Sequence, residues 1–313
     1  MAENLKILVV GVGAIGGYFG GRLLAAHRDV TFLVRPKRAQ QLASTGLVVR
    51  SVYGNLRFPA PPAVTREQLH EPYDVILLSC KAQDLDDAME SMAPAVGPQT
   101  AILPMLNGMR HLDALDARFG SAHVLGGQCV ISAVRDSEGH IVHLNDLHAI
   151  GYGERDRQKT DRILAIDRAF SNAGFNNHLA DDIVQEMWDK WVFITTAAGI
   201  TCLMRAAIGD IVKAGAVDYT LKLLAENAAI AEAEGHAPTS AAMDRNQKML
   251  TAEGSTMRAS MLGDIESGAP TEADHVLGDL LARAQRHNLE SPILALAYAH
   301  LRTYEARRHR ERR

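Results

Sequence analysis

Near-continuous apolar runs at residues 6–10, 30–34, 74–80, 100–106 and 123–132 alternate with segments whose apolar positions recur at helical spacing, at 15–26, 38–44, 85–95 and 112–119. Runs of Val, Ile and Leu without polar alternation suit strands buried on both faces, and strand–helix alternation implies a parallel sheet covered by helices. From 139 to 154 the pattern (GHIVHLNDLHAIGYGE) predicts a hairpin, followed by a helix at 161–173 and a last short strand at 175–179. Beyond about residue 181 the strand signals stop. The periodicity then predicts helices at 182–205, 207–214, 217–234, 239–251, 256–267, 272–287 and 292–310, with turn residues such as Gly235, Gly254 and Ser291-Pro292 between them. The expected fold is an α/β domain over 1–180 followed by an all-α domain over 181–313. With no repeat and no low-complexity linker, the two are expected to pack closely around a cleft.

Composition changes this picture little. Of 313 residues, 47% are apolar and 22% charged, an ordinary globular balance that argues against extended disorder. A net charge of −4 supplies no field for nucleic acid, and the basic block RRHRERR at 307–313 reads as a solvated helix end. Cys80, Cys129 and Cys202 are far apart and never form a CxxC pair, which suits a reducing compartment better than a disulfide framework or a cysteine zinc site. The longest uncharged stretches, 7–21 and 191–204, are too short to span a bilayer. The first is glycine-rich, follows acidic Glu3 and continues into a helical pattern, unlike a leader peptide, so a cytoplasmic protein is expected.

The chemistry begins at LKILVVGVGAIGGYFGGRLL (5–24), where Gly11-x-Gly13-x-x-Gly16 follows a strand and opens a helix. In that context Gly11 permits a tight turn, Gly13 a close approach to a pyrophosphate, and Gly16 tight helix–strand packing. Ala14 and Ile15 lie at the helix start, whose exposed N–H groups meet the anion. At the end of the second strand a dinucleotide fold selective for NAD carries Asp or Glu; here FLVRPKR places Arg35, with Lys37 and Arg38 behind it, suited to a 2′-phosphate. NADPH is therefore the expected cofactor. Lys81, in LLSCKAQD, and Asn107, in LPMLNGM, stand just past two further strand ends, where ligands of open α/β sheets lie. Read singly, Lys81 equally fits a solvated loop and Asn107-Gly108 a plain turn.

One further stretch raises a question. MWDKWVFITTAAGITCL (187–203) puts Lys190 among two tryptophans at the mouth of an uncharged run, 191–204, that reads as buried helix. Taken alone, the lysine also fits a side chain whose stem lies on apolar surface while its ammonium reaches water.

The glycine motif with Arg35, Lys81 in CKAQ, LNGM at 106–109, MWDKW at 187–191 and RASMLGDIESGAPTEAD at 258–274 together resemble the ketopantoate reductase (2-dehydropantoate 2-reductase) family over nearly the whole chain. The resemblance implies a Rossmann-type, doubly wound N-terminal domain, a helical C-terminal domain for substrate and dimerisation, and reduction of ketopantoate to pantoate by NADPH on the pantothenate route. It matches the catalytic lysine to Lys190, the glutamate to Glu272, the nicotinamide-side asparagine to Asn107, the cofactor lysine to Lys81 and the substrate serine to Ser260. A homodimer is compatible with it. The chemistry is coherent: hydride addition to C2 of a 2-oxo acid builds charge on the carbonyl oxygen, which an ammonium stabilises and protonates. On its own, Glu272 also fits a first-turn carboxylate favoured by the helix dipole.

Departures from the pattern point to a substrate question. Family members usually carry asparagines four and eight residues after the lysine, for the substrate's hydroxyl end; this chain has Ile194 and Ala198. A glutamine three residues after the strand-end lysine is replaced by Asp84. Two alternatives stay open: a reductase for a small, more apolar 2-oxo acid, and a non-catalytic NADP(H)-binding redox sensor. The thirteen histidines form no HExxH, and with no cysteine-paired cluster a metal is not expected.

Overall fold

The computed structural model describes residues 5–311; Arg312 and Arg313 of the basic block lie outside them. The chain forms two compact units, residues 1–106 with 111–184, and residues 107–110 with 185–313.

In the first unit, β1 (Lys6–Val10), α1 (Ala14–Ala25), β2 (Asp29–Leu33), α2 (Pro36–Thr45), β3 (Leu47–Arg50), β4 (Leu56–Phe58), β5 (Ala63–Val64), β6 (Val75–Leu78), α3 (Leu85–Met92) and β7 (Ala101–Pro104) follow in order. β1, β2, β5, β6 and β7 make one wholly parallel sheet, ordered β5-β2-β1-β6-β7. Val9 stands opposite Phe32 on one side and Leu77 on the other, all buried, which is why these strands read as unbroken apolar runs. The strand order reverses about β1, so the ends of β1 and β6 flank the switch point where such sheets bind ligands.

The apolar run at 123–132 does not simply join that sheet. Val124 makes one parallel bridge to Ile102, and the chain then crosses at Gly126-Gly127 into a second sheet. After α4 (Arg110–Phe119), that sheet is completed by β8 (Gly126–Arg135), β9 (Ile141–Gly153) and β10 (Asn176–Leu179), with α5 (Asp161–Phe170) before the last. The hairpin expected within 139–154 is wider: residues 141–153 are a single strand, and its antiparallel partner is β8. One edge of β9 pairs first with β3 and then with β10. β3, β4 and β5 have two to four residues each, too short to show in the apolar pattern. Tyr18 and Phe19 of α1 and Tyr152, Phe170 and Phe175 belong to one buried cluster with the strands of both sheets.

The second unit is helical: most of α6 (Ile183–Met204), then α7 (Ile208–Lys213), α8 (Val217–Ala233), α9 (Ser240–Leu250), α10 (Ser260–Glu266), α11 (Asp279–Arg286) and α12 (Pro292–Glu311). Trp191, Leu223, Leu277, Leu294 and Ala297 are buried in it. Polar groups sew the helices together. Buried Asp189 accepts hydrogen bonds from Gln185 Nε2 (3.0 Å) and Thr239 Oγ1 (3.1 Å), joining α6 to the start of α9. Glu226 accepts the N–H groups of Ile293 and Leu294, capping α12 where its dipole favours an anion. Residues 256–259 form no regular element and Ala259 is extended, so α10 begins at Ser260. Residues Asp274–Gly278 form a π-helical turn ahead of α11. No helix among the described residues is long and apolar enough to cross a membrane.

Candidate active site

The glycine turn sits where its spacing implies. Gly11 ends β1 at φ +92°, a left-handed conformation that side chains rarely adopt. A Cβ on Gly16 would collide with the Gly11 carbonyl and the Ser79 hydroxyl. Ser79, at the end of β6, donates to the carbonyls of Val10 (2.9 Å) and Gly11 (3.0 Å), so the two strand ends are tied at the switch point. Gly13 is the N-cap of α1 and offers no side chain to its N–H groups, and the first turn (Ala14, Ile15, Gly16) holds no acidic residue. Unsatisfied N–H donors with the positive end of a helix and no competing carboxylate fit a pyrophosphate.

Arg35, the N-cap of α2, is exposed but engaged. Its Nη2 donates to Asp84 Oδ1 and Asp87 Oδ2, both at 2.7 Å, and Nε to Asp87 Oδ2 at 3.1 Å. These hydrogen bonds raise the guanidinium's pKa further above its ordinary value. Arg38 is not a companion to it. It is buried, and donates to Gln41 Oε1 (2.7 Å) and the Gly139 carbonyl (3.0 Å), tying α2 to the β8–β9 turn. Lys81 is exposed at the start of the turn after β6, two residues past Ser79.

In the second unit, half-buried Lys190 lies on α6, one residue from Trp191, whose indole N–H donates to the Val276 carbonyl at 3.0 Å. Val276 and His275 donate their backbone N–H groups to the Glu272 carbonyl (3.0 and 3.1 Å), so α6 is pinned to the turn that Glu272 opens. His275 is the residue that sequence reasoning missed. Its ring hydrogen-bonds the Asn107 backbone, and a Cβ on Gly108 would stand 3.1 Å from the His275 carbonyl oxygen. Burial lowers the His275 imidazole's pKa, against the upward pull of Glu272 and Asp279. Asn107, His275 and Glu272 are thereby assembled together. The signal available was a lone histidine three residues after Glu272 in an apolar segment, which fits a core residue as well as a functional one. A π-turn at this position belongs to the class of helix irregularity common at functional sites.

Ser260 is exposed at the start of α10. The preceding N–H, of Ala259, reaches Thr201 Oγ1 at 3.4 Å, and Thr201 lies about three turns along α6 from Lys190. Ile194 and Ala198 occupy the intervening turns of the Lys190 stripe, half-buried and buried. Thr195, Thr196 and Thr201 are fully buried; Thr196 accepts from Asn227 Nδ2 (2.9 Å).

Asp136, Glu138 and His140 bring potential metal-ligating atoms within 4.8 Å of one another at the β8–β9 turn. Asp136 Oδ1 there accepts the backbone N–H groups of Glu138 and His140, and Arg50 stands 3.9 Å from each carboxylate, so the cluster already serves the turn.

Comparison with known proteins gives a consistent answer. A family model described as "Ketopantoate reductase PanE/ApbA" matches residues 7–157, and one described as "Ketopantoate reductase PanE/ApbA C terminal" matches residues 182–305. A Bacillus subtilis protein named "Uncharacterized oxidoreductase YkpB" is 38% identical over 303 residues, 96% of this chain and 99% of its own. A 2-dehydropantoate 2-reductase of Nostoc sp. is 26% identical over 96% of each chain. The crystal structure of 2-dehydropantoate 2-reductase from Methylococcus capsulatus shares the fold with a TM-score of 0.87 at 25% identity, over 97% of this chain and 98% of that one.

Proposed function

This chain belongs to the ketopantoate reductase family of oxidoreductases, and from that premise we propose that it reduces a 2-oxo acid to the 2-hydroxy acid with NADPH, 2-dehydropantoate being the first substrate to test. The observation that carries the reading is the glycine turn at the sheet's switch point, with an α1 start free of acidic residues. Bound there, a reduced nicotinamide supplies hydride to C2 of the oxo acid. Lys190 stabilises the charge growing on the carbonyl oxygen and delivers the proton that completes the hydroxyl. Glu272 holds the lysine or accepts a substrate hydroxyl, Asn107 orients the reacting centre and Ser260 binds the carboxylate. Gly11, Gly13, Ala14, Ile15 and Gly16 hold the pyrophosphate, Lys81 the cofactor's nicotinamide side, and Arg35 the 2′-phosphate.

Two observations favour variants of this reading. The Lys190 stripe continues as Ile194 and Ala198, which favours a substrate with an apolar side chain. Asp84 and Asp87 already occupy Arg35, which favours NADH, since a 2′-phosphate has to displace carboxylates that also repel it.

The test is a matrix of initial rates: NADPH and NADH, each against 2-dehydropantoate and a series of 2-oxo acids of graded size and polarity. Turnover of 2-dehydropantoate well above the apolar acids supports the first substrate; the reverse order supports the apolar variant. Dinucleotide binding with no oxidation across the series would discard the reductase in favour of a sensor. Light scattering on the purified protein tests the homodimer.

A further inference from the structure

A second polar pocket lies in the first unit, built around residues that the proposed reaction does not use. It is a depression open to solvent, of about 540 Å³, lined by Arg22, Tyr53, His148, Asn172, Asn176 and Asn177, with Gly174 and Phe175 completing the wall. The volume is in the range of small-molecule sites. No carboxylate is among the lining residues.

Arg22 is the reason to expect a charged occupant. It projects from α1, is 6% exposed, and donates Nη1 to the Tyr53 carbonyl (3.1 Å) and Nη2 to the Gly54 carbonyl (3.0 Å). Its Nε has no hydrogen-bond partner, and among the described residues no acidic group pairs with it. The face of the Tyr18 ring, 5.2 Å from the guanidinium carbon, offers partial compensation. A buried cation held only by neutral acceptors keeps an unmet demand for negative charge. His148, 5% exposed, stands beside it with Nδ1 engaged by the Tyr18 hydroxyl at 2.7 Å and its ring stacked on Tyr53 at 3.8 Å. The asparagines contribute neutral amides: Asn177 Nδ2 is spent on the Tyr152 hydroxyl and Asp167, whereas Asn172 and Asn176 carry no such bond.

We propose that this pocket is a binding site for a small molecule bearing an oxyanion, a carboxylate or a phosphate, recognised by the Arg22 guanidinium with the amides of Asn172 and Asn176. The inference stands independently of the reductase reading, because none of these residues belongs to that site.

Calorimetric titration of the full chain with sulfate, at constant ionic strength, tests the phosphate-type ligand; a parallel titration with propionate tests the carboxylate. Asn176 is exposed, so Asn176→Asp puts a negative charge on the pocket wall without disturbing the core. The expected result is saturable binding of at least one probe, weakened by about tenfold or more in Asn176→Asp, with NADPH or NADH binding unchanged. Binding of sulfate alone identifies the site as one for phosphate esters, and of propionate as well, as one for carboxylates. Absence of saturable binding overturns the proposal, as does binding in Asn176→Asp within about twofold of the native protein, which would place the anion elsewhere, for example at the α1 start. If Asn176→Asp does not fold, Asn172→Asp is read by the same criteria.

Discussion

At Arg35 two carboxylates lie within hydrogen-bond distance of the group expected to clasp a 2′-phosphate, so such a phosphate has to compete with both for the guanidinium. Changing Arg35 to Ala should raise the KM for NADPH by about tenfold or more and leave NADH nearly unaffected if the phosphate displaces the aspartates. Asp84→Asn with Asp87→Asn should then improve NADPH use; equal effects on both cofactors would remove the 2′-phosphate from the account. Lys190 is a separate case. Lys190→Ala should lower kcat by about 10²–10⁴-fold while dinucleotide binding, read by fluorescence quenching, persists. A near-normal rate would take the lysine out of the mechanism. Gly11, Gly13 and Gly16 were legible because strand, turn and helix are one local unit. Arg38 was not: whether an arginine beside Arg35 faces a ligand or crosses to Gly139, about a hundred residues away, is set by packing.

At the scale of elements, α6 carries the lysine and is held at both sides by polar links, to Thr239 through Asp189 and to the Val276 carbonyl through Trp191. Asp189→Ala should destabilise the helical unit by about 1–3 kcal/mol, because it leaves the Thr239 hydroxyl without its acceptor and the Gln185 amide with only the Ala237 carbonyl. A thermal midpoint unchanged from the native protein would show that solvent replaces those bonds. Ile194→Asn restores a polar group on the Lys190 stripe, and should raise kcat/KM for 2-dehydropantoate relative to apolar 2-oxo acids. No change in that ratio would detach this position from substrate choice. The π-turn could not be foreseen, since a one-residue change in hydrogen-bond spacing leaves apolar periodicity intact. The width of the β8–β9 hairpin was hidden too, because its polar and apolar residues alternate without marking which strand is the partner.

Across the whole molecule, acid should act first on two buried histidines. Burial lowers the pKa values of His148 and His275 below the ordinary 6.5. The unfolded chain therefore takes up protons before the folded one does. Stability present above pH 6.5 should decline as the pH falls below it, by up to about 1.4 kcal/mol per pH unit for each histidine. A second decline follows at lower pH. Burial tends to raise the carboxyls of Glu154 and Glu234, but Arg162 with Thr160, and His287 with Arg283, outweigh it and hold both below the usual 4.5. Their contribution is lost as those pairs protonate. Calorimetry between pH 8 and pH 4 checks the order, and a flat thermal midpoint from 7 to 5 would show that neither histidine stays neutral in the fold.

The sequence by itself determined the alternation of strand and helix, the dinucleotide turn, the switch to an all-helical second half and the family, because each rests on periodicity or on residues adjacent in the chain. Only the tertiary structure decided that a second sheet takes up β8 and β9, that Asp84 and Asp87 meet Arg35, that His275 joins Asn107 to Glu272, and that no acidic group among the described residues pairs with Arg22. Those facts depend on which distant side chains share a neighbourhood, and a charge's partner or its absence is a property of three-dimensional packing that no local pattern encodes.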